Sequence, residues 1–295
     1  MKPSEKCFNP RLVASVLAFA ACASAAQAQL IHRYDFSSGA TDIVGGANGN
    51  IFGPATVSGG QLNFNNPNFS PAAFAGGYAV LPANILPASG SVTIETWFTI
   101  TGSGFFTESW AFTDRNGGAN PPGASSGQYF MQTVSNPQGG PNPAGGGSSI
   151  AQTLAGYGGG AESRAYGTTV GLGAGGGGYL DDGGTYMAAT VIDGVAGTLS
   201  YYVYRVSDGL GGFQSSITAI PLSSYSFTEC LLGRSPFAAD NWTSGSMDEF
   251  RIYANARSAA EILGDFQAGS NVVPEPTTFA LLGLGGLALV YRRRS

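Results

Sequence analysis

The chain has 295 residues, a formal net charge of −5, 46 glycines and 12% aromatic residues. Glycine is far above its usual share of about 7%, yet the aromatics are too many for a collagen-like or wholly disordered chain, so the composition points to a core-forming protein with Gly-rich loops. Between Gln29 and Val273 lie seven arginines, no lysine and sixteen acids, a balance of −9. Such a body repels nucleic acid and anionic membrane surfaces, which require basic patches, and nucleic-acid binding is excluded.

The first element is a leader. Lys2, Lys6 and Arg11 precede an apolar run from Leu12 to Ala21, and Ala26-Gln27-Ala28 supplies small side chains at a cleavage position. These parts predict a signal peptide over residues 1–28, cut by signal peptidase between Ala28 and Gln29. The apolar run is shorter than the ~20 residues that span a bilayer, which argues against an uncleaved anchor. Cys7 and Cys22 leave with the leader. Cys230 then stands alone, unable to form an internal disulfide or a cysteine metal cluster, and is expected as a small buried side chain.

The body reads as β-structure. Ser91 to Thr101 alternates, with Val92, Ile94, Phe98 and Ile100 on one face and Thr93, Glu95, Trp97 and Thr99 on the other. Gln128 to Thr133 and Ser149 to Leu154 can form strands, but Gly139 to Gly184 is rich in glycine and is expected as long loops inside the domain. The run Gly175 to Gly178 lacks the following Lys-Ser/Thr of a phosphate cradle. Tyr186 to Ile192 and Leu199 to Val206 flank Asp193-Gly194-Val195-Ala196-Gly197 and predict a hairpin. Met247 to Tyr253 predicts a further strand with Asp248, Phe250 and Ile252 facing inward. A short helix follows, with Ser258 as N-cap, Glu261 completing a capping box, Ile262 and Phe266 on one face, and Gly269 closing the end. Many strands and one brief helix indicate an all-β, two-sheet sandwich over residues 29–270.

The C-terminal segment, 271–295, carries Pro274-Glu275-Pro276, an apolar stretch from Thr277 to Tyr291, and Arg292-Arg293-Arg294. The prolines keep the tripeptide extended and open to a processing enzyme, and the arginines hold the terminus in the cytoplasm. The order and spacing resemble the PEP-CTERM sorting signal. That resemblance implies a precursor held transiently in the inner membrane by a hydrophobic helix, cut near the motif by an exosortase, and delivered to the cell surface or extracellular matrix. A permanent tail anchor is the alternative.

A second resemblance covers most of the body. Gly245 to Ile262 (GSMDEFRIYANARSAAEI) is similar to the closing motif of LamG-like domains in the concanavalin A-like lectin/glucanase superfamily. His32 to Phe36 (HRYDF), the run from Asp42 (DIVGGANG), SVTIETWF and Leu231 to Ser235 (LLGRS) match in order. The paired histidines that the family often carries at the strand of Tyr186-Met187 are missing. The fold implied is a two-sheet antiparallel jelly roll.

That superfamily includes glycosidases, which need two carboxyl groups about 5–5.5 Å apart when retaining. The Glu-x-Asp-x-x-Glu strand of the glucanases does not occur here, and the neighbouring pairs Asp181-Asp182 and Asp248-Glu249 point to opposite strand faces. With His32 as the single histidine, expected in a structural role, a histidine-based nucleophile or metal site has no basis. The body is therefore expected not to be an enzyme. By resemblance to the glucanases, Asp248 and Asp35 are candidate ligands of a structural calcium ion; the alternative is Asp248 accepting backbone N–H bonds. Glu95 and Trp97 on one strand and Tyr202 and Tyr204 on another are candidate ligand-binding residues that would stack on and hydrogen-bond sugars. Ordinary packing between sheets or under a loop is the other option. The function expected is noncovalent binding to extracellular polysaccharide or a surface partner; a structural matrix component without a discrete ligand is the alternative, and a glycan-active enzyme the remote one.

Overall fold

The computed structural model describes residues 30–66, 76–102, 106–114, 127–135, 151–157, 161–167, 180, 182–237 and 240–273. The expected signal peptide and the C-terminal hydrophobic helix, with Ala28, Pro274, Glu275 and Pro276, lie outside the described residues. One compact unit runs from Gln29 to Val272. In chain order its strands are β1 (Leu30–Tyr34), β2 (Asn50–Phe52), β3 (Thr56–Ser58), β4 (Gln61–Asn63), β5 (Tyr78–Leu81), β6 (Val92–Gly102), β7 (Thr107–Thr113), β8 (Gln128–Ser135), β9 (Gln152–Tyr157), β10 (Glu162–Tyr166), β11 (Thr185–Asp193), β12 (Thr198–Arg205), β13 (Gly211–Thr218), β14 (Glu229–Leu232) and β15 (Ser244–Tyr253). The helix α1 spans Ala259–Ala268.

The strands form two antiparallel sheets packed as a sandwich. One has eight strands in the order β13-β12-β11-β6-β15-β4-β3, with β1 also paired to β15; the other has seven, in the order β10-β9-β8-β7-β14-β5-β2. The alternation of β6 works as expected: Val92, Ile94, Phe98 and Ile100 enter the core between the sheets. Trp110 and Phe130 face them from the other sheet, with the Trp110 ring edge-on to Phe130 at 5.1 Å and to Phe250 of the neighbouring β15 at 6.3 Å. Cys230 is buried in this core. The hairpin of β11 and β12 forms in register from Tyr186↔Arg205 to Asp193↔Thr198.

In β15 one expectation fails. Met247 pairs with Phe98 and Glu249 with Trp97, so Asp248 is an extra residue in a β-bulge. The bulge resets the side-chain alternation: Met247, Phe250 and Ile252 point into the core, while Asp248 does not. Gly245, just upstream, has φ +130° and leaves no room for a Cβ, which would lie 2.0 Å from the Thr99 carbonyl oxygen.

On one flank the two sheets are joined by hydroxyl groups. Ser163 Oγ of β10 donates to the Thr218 carbonyl of β13 at 2.7 Å, and Ser215 Oγ donates back to the Tyr166 carbonyl at 2.6 Å. On the other flank, among the described residues, the sheets end in β2 and β3, each three residues long, and in the five-residue β1, which pairs only with β15.

Candidate functional site

The four residues proposed from sequence as a sugar platform lie on the outer face of the eight-stranded sheet, and α1 lies across it. The helix starts as expected: the Ser258 hydroxyl accepts from Glu261 N while the Glu261 carboxylate accepts from Ser258 N. Its apolar face brings Ile262 and Phe266 against Trp97, Met187, Ala189, Val191 and Tyr204. Tyr204 stacks on Phe266 with centroids 4.6 Å apart. Trp97 is 2% exposed and Glu95 fully buried. Tyr202 stays half-buried at the margin, edge-on to Phe213 at 5.4 Å. Glu95, Trp97 and Tyr204 are thus gathered on one face, but as the seat of α1 rather than a surface open to a ligand.

A charged network fastens that seat. Arg257 Nε lies 3.4 Å from Glu95 Oε1 and its Nη2 2.6 Å from Asp265 Oδ2, while Tyr253 Oη donates to Asp265 at 3.1 Å. Burial raises the Glu95 carboxyl well above the usual range, Asp265 reinforces the shift, and Arg257 opposes it.

Each of the two proposed calcium residues has a hydrogen-bond partner of its own. Asp35 Oδ1 accepts from the backbone N and hydroxyl of Ser37, closing its own turn. Asp248 accepts from the Gln61 side-chain amide, and burial raises its carboxyl. Calcium takes six to eight oxygens, and among the described residues no group of three or more His, Cys, Asp or Glu side chains assembles. His32 has a structural partner: its Nδ1 lies 2.6 Å from Asp42 Oδ2. Asp42 also accepts from the backbone N of Arg33, Val44, Gly45 and Ala47, which folds the DIVGGANG segment around one carboxylate.

An open pocket lies elsewhere, at one end of the sandwich. Because Leu81 of β5 pairs with Cys230 of β14, the residues that follow the first and precede the second run side by side beyond the sheet. Between them is a cavity of about 350 Å³, bordered by Pro82, Asn84, Ile85, Tyr225, Phe227 and Glu229 among others. A 3-10 turn at Leu222–Ser224 sets one wall. Tyr225 and Phe227 stack at 5.0 Å with planes 14° apart, and Phe227 packs on Phe112 of the core at 5.9 Å. Ser226 N donates to Gln128 Oε1 at 2.6 Å, tying this wall to β8. On the facing wall Asn84 has φ +62°, a left-handed conformation that costs most side chains energy and that Asn tolerates best. The pocket therefore offers an aromatic surface, an amide, a hydroxyl and one carboxylate on a wall fixed to the core.

A third cluster surrounds a buried carboxyl group. Glu108 is fully buried, and burial raises its carboxyl well above the usual range, with Asp240 adding to the shift and Ser235 opposing it. Ser235 Oγ donates to Asp240 Oδ2 at 2.5 Å. Arg234 lies over the Tyr78 and Trp242 rings at 4.8 and 5.2 Å.

Sequence reasoning missed the end pocket. Its one local signal is the alternation of Tyr225 and Phe227 with serines; the wall at 82–88 joins it only through the pairing of β5 with β14.

Residues 272–294 match the family described as the PEP-CTERM protein-sorting motif, which marks an exported precursor sorted by exosortase. No curated protein matches the chain. Among solved structures it is similar to domain 4 of AbnA, a GH43 extracellular arabinanase from Geobacillus stearothermophilus in complex with arabinotriose: 16% identity, 81% of this chain, 98% of that chain and a TM-score of 0.52. The receptor-binding domain of botulinum neurotoxin C/D mosaic serotype matches at 10% identity and a TM-score of 0.50, over 81% of this chain and 51% of that one. The CBM40 of Ruminococcus gnavus IT-sialidase matches at 10% identity, 60% of this chain, 82% of that chain and a TM-score of 0.41. The first two likenesses show the two-sheet fold.

Proposed function

We propose that the body is a LamG-like, concanavalin A-like binding module that holds an uncharged sugar of an extracellular polysaccharide in the end pocket, without hydrolysing it, at the cell surface. The observation that carries this reading is the pocket itself. Its volume falls at the lower end of the ~300–1,000 Å³ of small-ligand sites, which suits a short stretch of sugar rather than a long chain. Aromatic faces stack on the apolar side of a sugar ring, and Asn84 and Ser226 supply directional hydrogen bonds at the rim. The arabinotriose bound by the AbnA domain supports the ligand class by analogy of fold alone.

Two further observations favour an uncharged ligand and no turnover. Among the described residues, Arg33, Arg164, Arg205, Arg251 and Arg257 all pair with carboxylates of the body, and Arg234 lies against aromatic rings. Glu229 is the one carboxylate among the described residues that border the pocket, whereas glycoside hydrolysis takes two.

The test is retention of the Gln29–Val272 body on immobilised neutral and acidic polysaccharides, together with assay of released reducing ends. Neutral polymers should retain it with single-site affinity on the order of 0.1–1 mM, about −4 to −5.5 kcal/mol, and Tyr225→Ala should abolish retention. Retention on no polymer would leave a structural matrix role; release of reducing ends lost on changing Glu229 would make the protein an enzyme.

A further inference from the structure

Arg251 is fully buried on the outer face of the eight-stranded sheet, beside the end of α1. Its guanidinium is fixed by its own surroundings. Nε donates to Glu249 Oε1 at 2.8 Å, Arg33 holds the same carboxylate at 2.5 Å, and the Trp97 ring lies 4.5 Å away. Nη2 then donates to the carbonyls of Ser270 at 2.6 Å and Val272 at 3.0 Å, with that of Gly269 at 3.5 Å. These carbonyls belong to the turn beyond α1, where Gly269 N–H closes the helix and Val272 N–H donates to the Gly269 carbonyl. Val272 is both the last residue of the compact unit and the first residue of the sorting-motif match.

We propose that Arg251 is a positioning residue for processing of the tail: it pins the chain at Val272, so scission is confined to bonds beyond that residue. A processing enzyme takes its substrate as extended backbone and uses the main-chain groups for recognition. The carbonyls of 270 and 272 are already engaged by Arg251, so the bonds around them are withheld while the body is folded. The clamp reads main-chain oxygens, which explains why residues 270 and 272 carry no sequence signal of it. This goes beyond the binding function and rests on the sorting motif alone.

The full chain in its native host provides the test, read as the intact mass of the mature body. The wild type should end at one position downstream of Val272. In Arg251→Gln the guanidinium fork is lost, and the fraction of chains ending within 269–272 should rise at least tenfold. Arg251→Lys, which keeps one charged donor, should fall between the two. Thermal melts establish that each variant is folded. A second measurement does not depend on any variant: a nonspecific protease acting on the detergent-extracted wild-type full chain should trim no further than Val272. Trimming of the folded wild type to Gly269, or a folded Arg251→Gln protein with the wild-type terminus, would overturn the assignment.

Discussion

Two carboxyl groups show how the same side-chain chemistry is driven in opposite directions by its neighbours. Burial works against ionisation of Asp42, but His32 and the backbone N–H groups of Arg33, Ala47 and Gly45 outweigh it and hold the carboxyl at about 2. Its stabilising contribution is therefore present above the ordinary aspartate range and disappears as pH falls through about 2. Asp42→Ala should cost about 1–3 kcal/mol at neutral pH, since several part-buried donors lose their acceptor together. Glu108 behaves in the reverse sense. Its folded-state pKa is raised, so the contribution of the protonated form is complete below the ordinary glutamate range and erodes as pH rises toward the folded value. Glu108→Gln should consequently flatten the dependence of Tm on pH between about 5 and 8 and raise Tm at the upper end. Thermal melts of the two variants across that range and in acid check both signs. An Asp42→Ala protein as stable as the wild type, or a Glu108→Gln protein with an unchanged pH profile, would contradict the assignment of these shifts.

At the scale of elements, local chemistry was legible where it was self-contained. The capping box of α1 is spelled out in four consecutive residues, and the alternation of β6 and the hairpin of β11 and β12 follow from period-two patterns. What the sequence hid was partnership. Trp97 and Glu95 stand on the non-core face of β6, and nothing in their spacing tells whether that face meets solvent or a helix from the far end of the domain. Asp248 is misassigned by simple alternation because a bulge is a property of two strands in register. The three-residue strands β2, β3 and β4 are too short to give a period, and β7 and β14 are buried on both faces, which removes alternation altogether. The role of α1 as a lid on the sheet gives a direct expectation. Ile262 is fully buried beneath it, so Ile262→Ala should destabilise the body by about 2–4 kcal/mol, whereas loss of the Ser258 cap costs about 1 kcal/mol. Denaturant melts should return that ranking; equal, small effects would mean that the helix is dispensable to the sheet.

For the molecule as a whole, charge and architecture make a joint statement. A body with a balance of −9 and no lysine repels anionic polymers at long range, and salt weakens that repulsion within a Debye length of about 8–10 Å. Retention on a neutral polysaccharide by stacking and hydrogen bonds should therefore change less than about twofold between 50 and 500 mM salt. Steep loss with salt would instead point to an ionic contact and to an acidic ligand.

The seams between the sheets carry a consequence for life at high surface density. An exposed strand edge is a template on which a neighbouring copy adds its own strand, and many copies of an exported protein meet one another in such a layer. Here the edges β10 and β13 face each other and engage two of their carbonyls through Ser163 and Ser215, while among the described residues β2 and β3 offer three residues each and β1 five. The hydroxyl stitches thus occupy carbonyls of two facing edges, and crowded copies find less free backbone there on which to add a strand.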